Sequence, residues 1–254
     1  RKTLAKDLKH FMNVDVLRDG KKKINDYYFH KIDTKDKAYW LGFLYADGYV
    51  TNKALEFCLQ DADKKSVEDF REALGSNHKI SRKVSCLNGK AFINWRISIK
   101  SQQIAKDLIS HGCIPLKTYY MTFPNDIEKN LMSHFIRGYT DGDGSIYMSK
   151  GALHVSYTSA SELFLKELQA FFSNENIQSS LYKLKNKENW VLNFNGKYAR
   201  SLCEFLYRES DDTIRLKRKY EKYLSYLQLL PSRDKGCEKS LDNEGGINLE
   251  GQIA

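Results

Sequence analysis

From residue 92 to residue 100, Ile93, Trp95, Ile97 and Ile99 alternate with Asn94, Arg96, Ser98 and Lys100. A period of two predicts a strand with one apolar and one polar face. Asn88-Gly89, a strong two-residue turn signal, joins it to a partner strand over 79–85. Upstream, Val67, Phe70, Ala73 and Leu74 recur at helical spacing, so 63–74 reads as an amphipathic helix stopped by Gly75. A helix over 34–47, a strand from Tyr49, another ending near Gln60 and a helix over 102–110 complete an αββαββα order.

That order then returns. The pattern predicts a helix over 128–143, strands over 145–149 and 153–158, and a helix over 161–174 with Leu163, Phe164, Leu168 and Phe171 inward. A second hairpin follows over 180–184 and 190–195, in which Trp190, Leu192 and Phe194 alternate with Val191, Asn193 and Asn195. Helices over 197–207 and 214–229 close the series. The expectation is an α+β chain of two pseudo-symmetric repeats, 33–124 and 125–230, related by a pseudo-twofold axis. Residues 1–32 read as a basic arm with a short helix over 6–17. That arm is either a remnant of a helix-turn-helix module or packed on the main body. Residues 231–254, rich in Gly, Ser and acids, are expected to be disordered.

Charge narrows the partners. Lys and Arg outnumber Asp and Glu 41 to 32, a net charge of +9 interleaved with 16 Tyr. This balance points to nucleic acid, with an anionic membrane surface a weaker candidate. No apolar run is long enough to span a membrane. Cys58, Cys86, Cys113, Cys203 and Cys237 show no zinc-ligand spacing and read as reduced, buried thiols in an intracellular, cytosol-like compartment. A Gly-rich phosphate loop ending in Gly-Lys-Ser or Gly-Lys-Thr does not occur, which excludes P-loop NTPases.

The candidate chemistry lies where the first helix of each repeat ends. Trp40-Leu41-Gly42-Phe43-Leu44-Tyr45-Ala46-Asp47-Gly48-Tyr49 and Ile136-Arg137-Gly138-Tyr139-Thr140-Asp141-Gly142-Asp143-Gly144-Ser145 share an apolar run with an internal Gly, closing on a small residue, Asp and Gly. Small residues at facing positions let two helices approach closely. Two such helices, ending at one level, would deliver Asp47 and Asp143 to one cleft. A single Asp-Gly reads equally well as a helix cap. Two copies, each ahead of alternating strands in a basic chain, favour shared chemistry.

These stretches resemble the motif of LAGLIDADG homing endonucleases, in the single-chain form with two motif copies. The packing Gly is Gly42 or Gly138, the small seventh position Ala46 or Gly142, the metal-binding acid Asp47 or Asp143, and the closing Gly is Gly48 or Gly144. The sixth position holds Tyr45 in one copy and Asp141 in the other, so the halves are unequal. The resemblance spans residues 33–229. It implies a saddle of two antiparallel sheets on double-stranded DNA, a monomer containing an internal pseudo-dimer, and site-specific double-strand cleavage of a long, loosely palindromic target. It also implies two or more Mg²⁺ ions at Asp47 and Asp143, with Ala46 and Gly142 beside them. Mn²⁺ would substitute, and Ca²⁺ would support binding without cleavage.

The same resemblance gives Lys117 and Lys217, each after Ile-x-Leu, as catalytic lysines near the scissile phosphate. A plain phosphate anchor is the competing reading of each. Asp61 and Ser159 are implied as water-organising residues. The polar strand faces supply candidate DNA contacts: Arg82, Asn94, Arg96 and Ser98 in one repeat, Lys183, Lys185, Asn193 and Asn195 in the other. Arg suits guanine and Asn suits adenine in the major groove. Two rivals share this fold: an intron RNA maturase, and a DNA-binding regulator without cleavage.

Overall fold

The computed structural model describes residues 16–18, 22–87, 89–115, 117, 119–212 and 214–230. Most of the helix expected over 6–17, and the tail 231–254, lie outside them. Val16 and Leu17 do not end a helix. They belong to β1 (Val16–Arg18), which pairs antiparallel with β2 (Lys22–Ile24). From Ile24 onward the arm packs on the main body, the second of the two expectations: Ile24, Tyr28, Phe29 and Ile32 are buried in the core. Asp26 accepts a 2.5 Å hydrogen bond from Ser101 Oγ. The core therefore begins well before residue 33, because these four apolar side chains lose water against it.

At the centre lie α1 (Lys35–Asp47) and α4 (Met132–Asp143). Thr34 caps α1 by accepting from the Lys37 N–H. Residues Lys37 to Tyr45 and His134 to Asp141 are buried all round, as expected of helices enclosed by protein. Their approach is limited by backbone. A Cβ on Gly42 would lie 1.9 Å from the Phe135 carbonyl oxygen, and one on Gly138 1.9 Å from that of Tyr39. Only glycine fits either place.

Each helix runs straight into a sheet. β3 (Gly48–Val50), β4 (Leu55–Gln60), β5 (Ile80–Leu87) and β6 (Lys90–Ile99) form one antiparallel sheet in the order β3-β4-β6-β5. The second contains β7 (Gly144–Ser149), β8 (Ala152–Ser159), β9 (Ser180–Lys183) and β10 (Trp190–Asn195) in the order β7-β8-β10-β9. The two repeats thus share one topology. Helices α2 (Lys64–Ala73) and α3 (Gln102–Ser110) complete the first; α5 (Glu162–Asn174), α6 (Lys197–Tyr207) and an additional α7 (Lys217–Leu229) complete the second. The chain is α+β, with two four-stranded antiparallel sheets and, among the described residues, seven α-helices.

One face of each sheet is closed by aromatic packing. Trp40, Phe43, Phe57 and Phe70 interlock in the first repeat, and Tyr157, Phe164, Phe172 and Phe194 are buried in the second. Each such burial contributes on the order of 1.5–3 kcal/mol. Ile97 and Ile99 join that core, but Ile93 and Trp95 are only half-buried. The β5–β6 hairpin therefore projects beyond the core, and its alternation outlasts the burial that explains it. No helix among the described residues is long and apolar enough to cross a membrane. Of the four described cysteines, Cys113 and Cys203 are buried; Cys58 is half-buried and Cys86 exposed, so the expectation of uniformly buried thiols fails there.

Candidate active site and nucleic-acid interface

Asp47 and Asp143 are the last residues of α1 and α4, and the glycine contacts bring them side by side. Burial, and then the charge of Asp143, push the Asp47 carboxyl up to about 6; Lys219 and Lys117 oppose the rise. Burial raises Asp143 as well, opposed by Lys117 and Lys219. Water still reaches both carboxylates. A Cβ on Gly142 would meet Ala46 Cβ at 2.2 Å and Asp47 Oδ2 at 3.0 Å. The site seats one methyl, that of Ala46, and the bare Gly142 leaves Asp47 its room. Among the described residues neither carboxylate accepts a hydrogen bond. Two unpartnered carboxylates, close enough for the charge of Asp143 to raise Asp47, are suited to a hard divalent cation. Among the described residues no cluster of three or more His, Cys, Asp or Glu forms a cation cage, so the remaining oxygens must be carbonyl, water or phosphate.

Two ammonium groups stand behind the acids, but only one is where the sequence placed it. Lys117 Nζ donates to the Gly48 carbonyl, just past Asp47. Lys217 does not reach the cleft. It stands 88% exposed on α7, 3.7 Å from Glu221. Lys219 takes the inner position instead. Its buried Nζ donates to the carbonyls of Thr140 (2.7 Å), Asp141 (2.7 Å), Gly142 (3.3 Å) and Gly144 (2.5 Å). Burial pushes this ammonium down to about 8 against the pull of Asp141. The signal was helical periodicity: Lys219, Tyr223 and Tyr226 form the buried i, i+4, i+7 stripe of α7. The Ile-x-Leu-Lys match hid it.

The unequal sixth positions do different structural work. Tyr45 OH donates to the His111 carbonyl at 2.5 Å. Asp141 accepts from Tyr39 OH (2.9 Å) and the Leu216 N–H (2.7 Å), tying α4 to α1 and to the start of α7. Neither side chain projects into the cleft, since both are buried.

Asp61 and Ser159 each have a partner within the protein. Asp61 accepts from Trp95 Nε1 at 2.6 Å, under the Lys64 ammonium that covers the same ring. Ser159 Oγ accepts from the Ser161 N–H. After Asp143, the other acid that acts on Asp47 is Asp63, buried at the N-terminus of α2. Burial opposes its charge, yet hydrogen bonds from Arg218 (2.9 Å each from Nε and Nη2) and Gln60 (2.9 Å) hold it below the usual carboxylate range. This two-pronged pair joins the repeats.

Strand register sorts the candidate DNA contacts. Asn94, Arg96 and Ser98 pair with Gln60, Cys58 and Glu56, so all six share the open face of the first sheet. Arg96 lies 3.5 Å from Glu56, and Ser98 also donates to Glu56. Arg82 pairs with Trp95 and therefore points to the opposite face; Lys83, opposite Asn94, and Ser81, opposite Arg96, take its place. In the second sheet Asn193 and Asn195 share the open face with Ser156 and His154. Lys183 is opposite Trp190, on the other face, paired with Glu188 at 3.2 Å. Lys185 lies exposed in the turn after β9.

Comparison with known proteins agrees with this architecture. Residues 130–206 match the LAGLIDADG-like domain family. No curated protein matches the chain. Among solved structures, the homing endonuclease I-WcaI bound to its DNA recognition sequence is similar with a TM-score of 0.54 and 14% identity, over 77% of this chain and 90% of that one. Meganuclease I-SmaMI bound to uncleavable DNA is similar with a TM-score of 0.52 and 12% identity, over 75% and 87%. I-SmaMI bound to an uncleaved target in the presence of calcium ions gives 0.50 and 13%, over 75% and 89%. At these identities the shared property is the fold: this chain has the two-repeat LAGLIDADG fold of single-chain homing endonucleases.

Proposed function

We propose that this chain is a site-specific DNA endonuclease that hydrolyses one phosphodiester bond in each strand of a long, pseudo-asymmetric duplex. The observation that carries the reading is the pair Asp47 and Asp143. They come from equivalent helix ends, lack a protein partner, and are backed by Lys117 and Lys219. The DNA-bound state of I-WcaI and I-SmaMI supports the choice of duplex DNA as substrate.

Asp47 and Asp143 would hold the divalent cations, with Ala46 and Gly142 lining the floor. Mg²⁺ is the expected ion, Mn²⁺ a substitute, and Ca²⁺ an ion for binding without cleavage. When bound, such ions supply an activated water and stabilise the leaving oxygen. The chain's own part is positional. Backbone contact at Gly42 and Gly138 fixes the spacing of the acids. Lys219 satisfies the carbonyls at the end of α4, and Lys117 the one past α1, placing positive charge beside the phosphate that enters between them. Lys83, Arg96, Asn94, Asn195 and His154 face outward on the open sheets, where a β-ribbon can enter the major groove.

Cleavage selection from a randomised duplex library with Mg²⁺ tests this. The expected result is one long enriched site cut on both strands, with Asp47→Asn and Asp143→Asn binding it in Ca²⁺ but leaving it intact. Double-strand cutting by either variant at the normal rate would overturn the assignment. So would a wild-type protein that binds structured intron RNA and selects no duplex.

A further inference from the structure

On the open face of the second sheet four side chains are joined. His154 on β8 stacks on Tyr147 of β7, with ring centroids 5.1 Å apart and planes 12° from parallel. Its Nδ1 lies 2.6 Å from Asn195 Oδ1 on β10. Asn193 Nδ2 donates to that same oxygen at 3.0 Å. A carbonyl oxygen only accepts, so His154 Nδ1 carries the proton and both acceptor positions of Asn195 Oδ1 are filled. The Asn195 amide nitrogen makes no hydrogen bond among the described residues, nor does His154 Nε2. Asn193 Oδ1 is buried without a partner, so this amide does not turn outward to a base.

An isolated Asn reads adenine by offering one donor and one acceptor. Asn195 no longer has a free acceptor. It presents two donors, and the His154 ring beside it, with its proton on Nδ1, presents an acceptor at Nε2. In the major groove a G·C pair shows two acceptors on guanine and then the cytosine amino donor; an A·T pair alternates acceptor, donor, acceptor. The surface order donor, donor, acceptor is complementary to G·C alone. We infer that Asn195 and His154 together read one G·C base pair in the half-site covered by the second repeat, Asn195 on guanine and His154 on cytosine, with Asn193 a positioning residue that keeps the Asn195 amide turned. This deepens the proposed function and rests on it.

The test is selection of bound duplexes from a randomised library in Ca²⁺, comparing wild type with Asn195→Asp and His154→Gln. Asn195→Asp keeps the shape and the acceptor for His154 but turns two outward donors into an acceptor facing guanine. The expected result is a single G·C position whose preference falls by about tenfold or more in Asn195→Asp and weakens in His154→Gln. The other positions of the same site should be unchanged, which shows in the same experiment that the variant is folded. Loss of preference at an A·T position instead would overturn the inference while leaving the endonuclease reading intact. So would an unchanged profile in both variants. Failure of the wild type to enrich any duplex would remove the endonuclease reading, and this inference with it.

Discussion

Replacing Lys219 by Met keeps most of the side chain's length and removes its ammonium. The carbonyls of Thr140, Asp141, Gly142 and Gly144 then lose a donor. Thr140 retains the Gly144 N–H, but the other three are left unpaired at a helix end that has no partners of its own. A hydrogen bond to a charged group contributes about 1.5–3 kcal/mol. Against the three carbonyls left unpaired stands the ammonium's own desolvation. Its depression from 10.5 to about 8 corresponds to about 3 kcal/mol. The net loss should be about 2–4 kcal/mol. Lys217→Met, at an 88% exposed site with one loose ion pair, should change stability by no more than about 0.5 kcal/mol. Urea unfolding of the metal-free proteins at pH 7 separates the two. The pH dependence gives a second check. The folded pKa of Lys219 lies below the unfolded one, so the native chain sheds the proton first. Wild type should therefore gain on Lys219→Met between about pH 8 and 10.5. Equal midpoints for the two variants at pH 7 would refute the reasoning.

Asp47→Asn should abolish cleavage and stabilise the metal-free protein at pH 7 by about 1 kcal/mol, the rise from 3.8 to about 6 being discounted because water reaches the carboxylate. The folded pKa of about 6 exceeds the ordinary 3.8, so the advantage should grow from pH 4 to 6 and disappear below 4; a gap independent of pH in urea titrations would contradict this. Gly138→Ala places a methyl 1.9 Å from the Tyr39 carbonyl and should cost about 3 kcal/mol or more, read as a fall in Tm; an unchanged Tm would mean the helices are not in backbone contact. Arg218→Met and Asp63→Asn should be strongly non-additive, with a coupling of about 1–3 kcal/mol in a double-mutant cycle, and additive losses would mean the pair contributes nothing across the repeats.

The repeat, the strand pairs and the two aspartates were legible because each rests on a local period or a local turn. Faces were less so. Arg82 counts among the open-face candidates in the sequence, yet Asn88-Gly89 already sets the register. With Leu87 opposite Lys90, Arg82 must fall opposite Trp95, on the apolar side. Lys183 was not recoverable in this way, because six residues separate its strand from β10 and no short turn fixes the count. Lys219 was hidden by a motif match two positions away, although the spacing to Tyr223 and Tyr226 marked it as inward. Asp63 and Arg218 are 155 residues apart, and nothing local announces a contact between repeats.

The reciprocal contact of Gly42 with Phe135 and of Gly138 with Tyr39 has a metrological consequence. Distances set by side-chain packing drift when a rotamer changes or a core residue is replaced. This one is set where main chain meets main chain, and no rotamer can relax it. Under the proposed reaction Asp47 and Asp143 mark the two points of scission, so the offset between the cuts is gauged by atomic radii rather than by sequence. The sheets can then diverge in what they read, one half independently of the other, while every target they come to recognise is cut with the same overhang.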